Sequence, residues 1–144
     1  MKICRFAVLF ALLATAGFAA EDLFAETKKK AEAGDAFAQR YLGIMYEFGE
    51  GVPKDDAEAV KWYRKAADQG HAAAQSNLGV SYANGTGVPK DLVQAHVWWN
   101  IAGAKGYEKA KENLAIVEKG MTDSQKEKAM DLARELFAKL QKGK

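Results

Sequence analysis

The residues able to do chemistry are few and scattered. Cys4 is the only cysteine in 144 residues, and it lies in an N-terminal stretch that reads as an export signal. No disulfide framework, thiolate zinc site or cysteine nucleophile is therefore expected in the mature chain. His71 and His96 stand 25 residues apart on different predicted helices, a spacing that brings no ligand pair to one helix face. Ser76, Ser81 and Ser124 lack any activating pattern, and the chain has no S-x-x-K, G-x-S-x-G or H-E-x-x-H. The loops GEGVPKD and GTGVPKD are glycine-rich, but they follow a predicted helix rather than a strand. Their Lys-Asp also lacks the Lys-Ser/Thr of a phosphate-binding P-loop. Asp55 and Asp91 in those loops are explained as helix caps. The reading is a non-enzyme with no catalytic residue, metal ligand or cofactor.

The elements that carry these residues follow from self-comparison. A shift of 36 residues aligns residues 34–69 with 70–105, with 16 of 36 positions identical. Leu42, Gly43, Tyr46, Gly49, Gly51, Asp55 and Trp62 of the first unit recur as Leu78, Gly79, Tyr82, Gly85, Gly87, Asp91 and Trp98 of the second. Both prolines, Pro53 and Pro89, also hold one repeat position. Each unit reads as two helices. Ala38, Leu42 and Tyr46 fall on one face of the first, spaced i, i+4, i+8, and Gly49-x-Gly51 ends it. Asp55 with Glu58, and Asp91 with Gln94, match a reciprocal capping pattern for the second helix. In that helix Ala59, Trp62 and Ala66 face inward. Gly43, Gly79, Ala59 and Ala95 are expected to let neighbouring helices approach closely.

The flanks are partial copies. Residues 20–33 read as a second helix without its partner, and residues 106–120 as a first helix, with Ala110 and Leu114 on the frame of Ala74 and Leu78. Residues 121–144 read as a capping helix opened by Thr122-x-x-Gln125, with Met130, Ala133, Phe137 and Leu140 on its apolar side. The fold class is thus all-α, an α/α solenoid of helix-turn-helix repeats with a C-terminal cap. Residues 1–19 combine a basic start with an apolar run too short to span a bilayer. This predicts a signal peptide cut after Ala19 and a periplasmic or secreted protein. Outside that segment 19 basic groups balance 19 acidic ones, so the basic excess of a nucleic-acid or anionic-membrane binder is missing.

The pattern A-Q-x-x-L-G-x-x-Y-x-x-G-x-G-V-P-K-D-x-x-x-A-x-x-W, repeated at this period over roughly residues 30–118, resembles the Sel-one-like repeat, a relative of the tetratricopeptide repeat. The resemblance implies an α/α solenoid with a concave surface, acting as an adaptor or scaffold for proteins or peptides. Cysteine-rich members are associated with penicillin binding and β-lactamase activity. This chain departs from them in having no cysteine beyond Cys4.

Residues that break the repeat frame are the candidates for partner contact. On the first helix of unit one, Phe37, Tyr41, Ile44 and Phe48 form a second apolar stripe, rotated by roughly 130° from the core stripe at 100° per residue. Their counterparts in unit two are Ala73, Asn77, Val80 and Asn84. Either the stripe walls a groove that grips a partner, with Arg40, Asn77, Val80 and Asn84 alongside, or it buries Leu23 and Phe24. The expected function is non-enzymatic recognition of a protein or peptide on the surface made by first helices. The alternatives are an envelope enzyme of the β-lactamase type and a subunit that self-assembles through its ends. Charge is uneven along the chain: residues 21–60 carry ten acids and five bases, residues 105–144 ten bases and seven acids. This suits either head-to-tail association or simply solvated helix faces.

Overall fold

A computed structural model describes residues 19–143. Apart from Ala19, the signal peptide expected over residues 1–19 lies outside the described residues. Residues 19–32 form helix α1. There follow α2 (Ala36–Phe48), α3 (Asp56–Asp68), α4 (Ala72–Asn84), α5 (Leu92–Ala104), α6 (Glu108–Val117), a 3-10 turn (Glu118–Gly120) and α7 (Asp123–Lys142). No strand occurs among the described residues. The chain is a helical repeat solenoid of α2–α3 and α4–α5 hairpins, with α1 before them and α6 after.

The helix starts are set by side-chain acceptors. Asp35, Asp55 and Asp91 each take the backbone N–H three residues on at 3.0 Å, which removes one unsatisfied donor per helix. The expected reciprocal bonds from Glu58 and Gln94 are not made: Glu58 pairs with Lys61 instead. The complete capping box forms at Thr122–Gln125. Between helices the loop closes identically in both units. Asp55 N–H donates to Tyr46 O and Asp91 N–H to Tyr82 O, each at 2.9 Å. Gly49 and Gly85 end α2 and α4 in the left-handed region, each at φ 71°. Gly51 and Gly87 lie where the loop touches an earlier helix. A side chain at Gly51 would strike the backbone of Ala20, and one at Gly87 the backbone of Asp56.

Close packing explains the repeating small residues. The nearest neighbour at both Gly43 and Gly79 is an aromatic ring, and at Gly43 the α3 backbone is close as well, with Ala59 O 3.1 Å from where a Cβ would stand. A methyl group at Gly43 would overlap the Tyr63 ring, and one at Gly79 the Trp99 indole. Each glycine is a socket for the large aromatic of its own unit's second helix, and both aromatics are buried. The neighbouring tryptophans act between units. Trp62 is buried with Ala31 of α1 as well as Ala38 and Leu42 of α2. Trp98 is buried in the same way in a cluster with Ala67 of α3 and Ala74 and Leu78 of α4. Facing inward therefore means, for Trp62 and Trp98, facing the seam with the preceding helix. Buried amides at the repeat period tie the same seams. Gln39 Nε2 donates to Ala31 O at 3.0 Å and Gln75 Nε2 to Ala67 O at 3.1 Å. Each such bond contributes about 1 kcal/mol net, and leaving one of these groups unpaired costs about 1–3 kcal/mol.

After α5 the frame is abandoned. In α6 the socket position holds Ala115 and the amide position Lys111, and in the 3-10 turn that follows the position of Tyr46 and Tyr82 holds Glu118. A second helix has no seat there, and α7 docks on α5 rather than on α6. Of the expected apolar face of α7 this keeps Ala133 and Leu140 and corrects Met130 and Phe137. Ala129 and Ala133 are buried and Leu132, Leu136 and Leu140 pack on the α5 core, whereas Met130 and Phe137 are exposed. The same departure creates a polar junction. Phe24 meets Tyr46 edge-on in the first junction (centroids 5.6 Å apart). The positions two periods on are His96 and Glu118, joined Nε2 to Oε1 at 2.9 Å with the imidazole 1% exposed.

Candidate interaction surface

Three first-type helices, α2, α4 and α6, present the same repeat positions to one side of the stack. One position supplies Ile44, Val80 and Ile116, and another Tyr41, Asn77 and Asn113. Of the aromatic stripe on α2, Phe37 is 77% and Phe48 68% exposed, Tyr41 is more than a third exposed, and Ile44 is half-buried against the neighbouring core. The stripe does not bury the N-terminal helix. Phe24 packs on Tyr46, a core-stripe residue, and Leu23 remains exposed. Asn84 is exposed at the end of α4.

Two adjoining cavities indent this side. The first, about 210 Å³, is lined by Arg40 from α2, Ser76, Asn77 and Val80 from α4, and Tyr107, Lys109 and Asn113 at and within α6. Arg40 Nε donates to Asn77 Oδ1 at 3.2 Å, which sets the guanidinium against the next unit. The second cavity, about 400 Å³, is bordered by Phe37, His71, Ala73 and Tyr107. Phe37 stands edge-on to His71 with centroids 4.6 Å apart. A third hollow, about 320 Å³ and mainly apolar, lies at the α6 end beside Asn84, Trp99 and Ile116.

The structure thus brings Arg40, Asn77 and Val80 into one cavity, puts Phe37 at the second and Asn84 at the third. Tyr41, Ile44 and Phe48 line none of them. It adds Tyr107, Lys109, Asn113 and Ile116, which a comparison confined to the two full units leaves out. Their signal was the period itself: Asn113 lies 36 residues beyond Asn77, and Ile116 the same distance beyond Val80.

Electrostatics on this side are positive near the first cavity. His71 Nδ1 accepts from Ala74 N–H at 3.2 Å and so caps α4 as the neutral imidazole. Burial, and then the charges of Arg40 and Lys105, hold its pKa below the ordinary 6.5. A folded pKa below the unfolded one gives stability that is full above pH 6.5 and is lost as pH falls through the folded value. The unfolded chain takes up the proton first. Unit one has Asp35 at this position, so His71→Asp should match the parent at pH 8 and melt several degrees higher at pH 5, a difference of about 1 kcal/mol in cap strength. Melting temperatures of both proteins from pH 8 to 5 check this. A constant difference between the curves would contradict it.

Among the described residues no cluster of three or more His, Cys, Asp or Glu converges as a metal site. No helix there is long and apolar enough to cross a membrane.

Comparison with known proteins completes the assignment. The family model of the Sel1 repeat matches residues 36–71 and 72–107. The chain belongs to the Sel1 repeat family. A protective antigen of uropathogenic Escherichia coli with an SLR fold superposes with a TM-score of 0.77 at 38% identity, over 86% of this chain. A Sel1 repeat protein from Oxalobacter formigenes gives 0.64 at 40% identity, over 67% of this chain. The chain spans 28% of the first protein's length and 40% of the second's. No match was found among curated proteins. Sel1 repeat proteins are generally protein-interaction modules, and the fold is typically a non-enzymatic scaffold.

Proposed function

We propose that this Sel1 repeat chain is an exported adaptor, periplasmic or secreted, that binds a protein or peptide on the common face of α2, α4 and α6. The observation that carries this reading is the exposure of large apolar side chains where the fold does not need them. Phe37 and Phe48 are mostly in water, and unit two folds with Ala73 and Asn84 at the same positions. Solvent-facing aromatics rimmed by polar residues are a mark of interaction sites. The surface is carried on preformed, packed helices, two of them capped by side chains (α2 by Asp35, α4 by His71), so little ordering cost accompanies binding. Export is supported by the basic start and short apolar run of residues 1–19.

Tyr41→Ala and Phe48→Ala should each weaken partner binding by about 1–2 kcal/mol, roughly tenfold or more. Their helicity and melting should change by under about 0.5 kcal/mol, as expected for surface positions. Titration of the partner with parallel melting curves checks both halves. Loss of stability in place of binding would show the stripe to be core.

A further inference from the structure

We propose that the cavity between α2, α4 and α6 captures the free C-terminal carboxylate of a peptide, and that the adjoining ledge takes that peptide's last, apolar side chain. The inference rests on the interaction-surface reading above and specifies the chemistry of its occupant. It begins with convergence. Arg40 and Lys109 occupy different repeat positions, and each breaks its own frame: unit two has Ser76 where unit one has Arg40, and Ala73 where α6 has Lys109. The stack nevertheless delivers both to one cavity, with the amides of Asn77 and Asn113 and the phenol of Tyr107. Every charge lining it is positive. Among the described residues neither Arg40 nor Lys109 forms an ion pair. Nearby acids are engaged elsewhere, Glu47 with the Tyr63 hydroxyl and Glu108 with Lys111, while Glu112 on α6 does not line the cavity. Two unneutralised cations beside amide donors complement a carboxylate, which takes charge-assisted hydrogen bonds from a guanidinium and an ammonium.

Size and adjacency choose the kind of carboxylate. About 210 Å³ is less than a whole small-molecule ligand needs, roughly 300–1,000 Å³, but it holds the end of a chain. Tyr107 borders both this cavity and the apolar one at Phe37 and Ala73. A carboxylate and an apolar side chain are thus wanted on either side of one ring. The α-carboxylate and side chain of a terminal residue share one Cα and meet that demand. An internal Asp or Glu would have to pass chain out of the cavity in two directions. The depressed pKa of His71, held down in part by Arg40, is consistent with the positive potential there.

The test uses the purified chain and three pools of fluorescein-labelled octapeptides read by fluorescence anisotropy. All are randomised at the first seven positions. One ends in leucine with a free carboxylate, one in leucine amide, and one in glutamate amide. The free-acid pool should bind roughly tenfold more tightly than either amide pool, and the preference should weaken with added salt. Arg40→Gln and Lys109→Gln should each bring the acid pool close to the amide level without lowering the melting temperature. Lys109 is exposed, so its variant keeps the test sound if Arg40→Gln folds poorly. Equal binding of the leucine acid and amide pools, or a preference untouched by Lys109→Gln, overturns the carboxylate site. If that equal binding still falls on Tyr41→Ala and Phe48→Ala, the wider interaction surface stands without it. Glutamate amide binding as tightly as the leucine acid overturns the choice of a chain end. Binding of no pool overturns the site and the peptide-binding reading together.

Discussion

Ending the chain at Gly120 should yield a protein that no longer melts cooperatively and is lost to aggregation. The segment removed supplies Met121, Ala129 and Ala133, all buried, and Leu132, Leu136 and Leu140, half-buried on the core of α5. At about 25 cal/mol per Å² of apolar surface, three half-buried leucines with their smaller neighbours amount to roughly 5 kcal/mol. A domain of this size holds only about 5–15 kcal/mol in total. The truncation also uncovers apolar surface around Val97 and Ile101, now part of that core. Repeat stacks need a polar outer layer at each end to stay in solution, and α7 is that layer here. Circular dichroism melting and solubility of the truncated chain decide the matter. A soluble form with a sharp transition would show that α7 is dispensable.

Gly79→Ala should lower the melting temperature by roughly 10 °C, even though alanine is the better helix former. Propensity alone predicts a gain of about 1 kcal/mol for this substitution in a helix interior. The added methyl, however, would overlap the Trp99 indole, whose Nε1 donates to Ser76 O at 3.1 Å from a buried position. Forcing the ring aside strains its rotamer and stretches that hydrogen bond, a cost of about 3 kcal/mol that outweighs the gain. The sign of the effect therefore separates a socket glycine from an incidental one. Gly103 in α5 provides the contrast: its added methyl would meet only Lys111, closely at the side-chain Cγ (3.1 Å) and at ordinary contact distance from the backbone N and Cα. Gly103→Ala should be neutral or mildly stabilising. Denaturant midpoints of the two variants check the pair, and a stabilised Gly79→Ala would refute the socket.

Much of this architecture was legible in the sequence. The two hairpins follow directly from a 36-residue period, because a repeated contact demands the same residue types at the same spacing. Aspartate and glycine then set helix ends through their own local hydrogen bonding and backbone freedom. The partners of the repeated aromatics were less legible: period marks Trp62 and Trp98 as core, but only the docked helices show that they fill seams while Tyr63 and Trp99 fill sockets. The tail was harder. Helical spacing on α7 is satisfied both by Met130 and Phe137 and by Leu132 and Leu136, and the choice depends on which helix it docks against. That information sits in α6 and the 3-10 turn after it, where Lys111 and Glu118 replace the glutamine and tyrosine that seat a regular unit. His96 gave no sign of its role when taken alone. Paired with Glu118, two periods beyond Phe24 and Tyr46, it reads as a polar exchange of an aromatic contact. The binding face was half legible: unneeded aromatics mark it, but cavities shared by three helices need curvature as well as period.

Photo-crosslinking in the living cell tests the central claim most directly. Benzoylphenylalanine placed at Tyr41 or Phe48, on the common face of the first helices, should on irradiation give discrete crosslinked products larger than the chain. The same group at Lys61, exposed on the second helix of unit one, should give none. Products formed from Lys61 while Tyr41 and Phe48 stay silent would place the partner on the opposite layer and contradict this account.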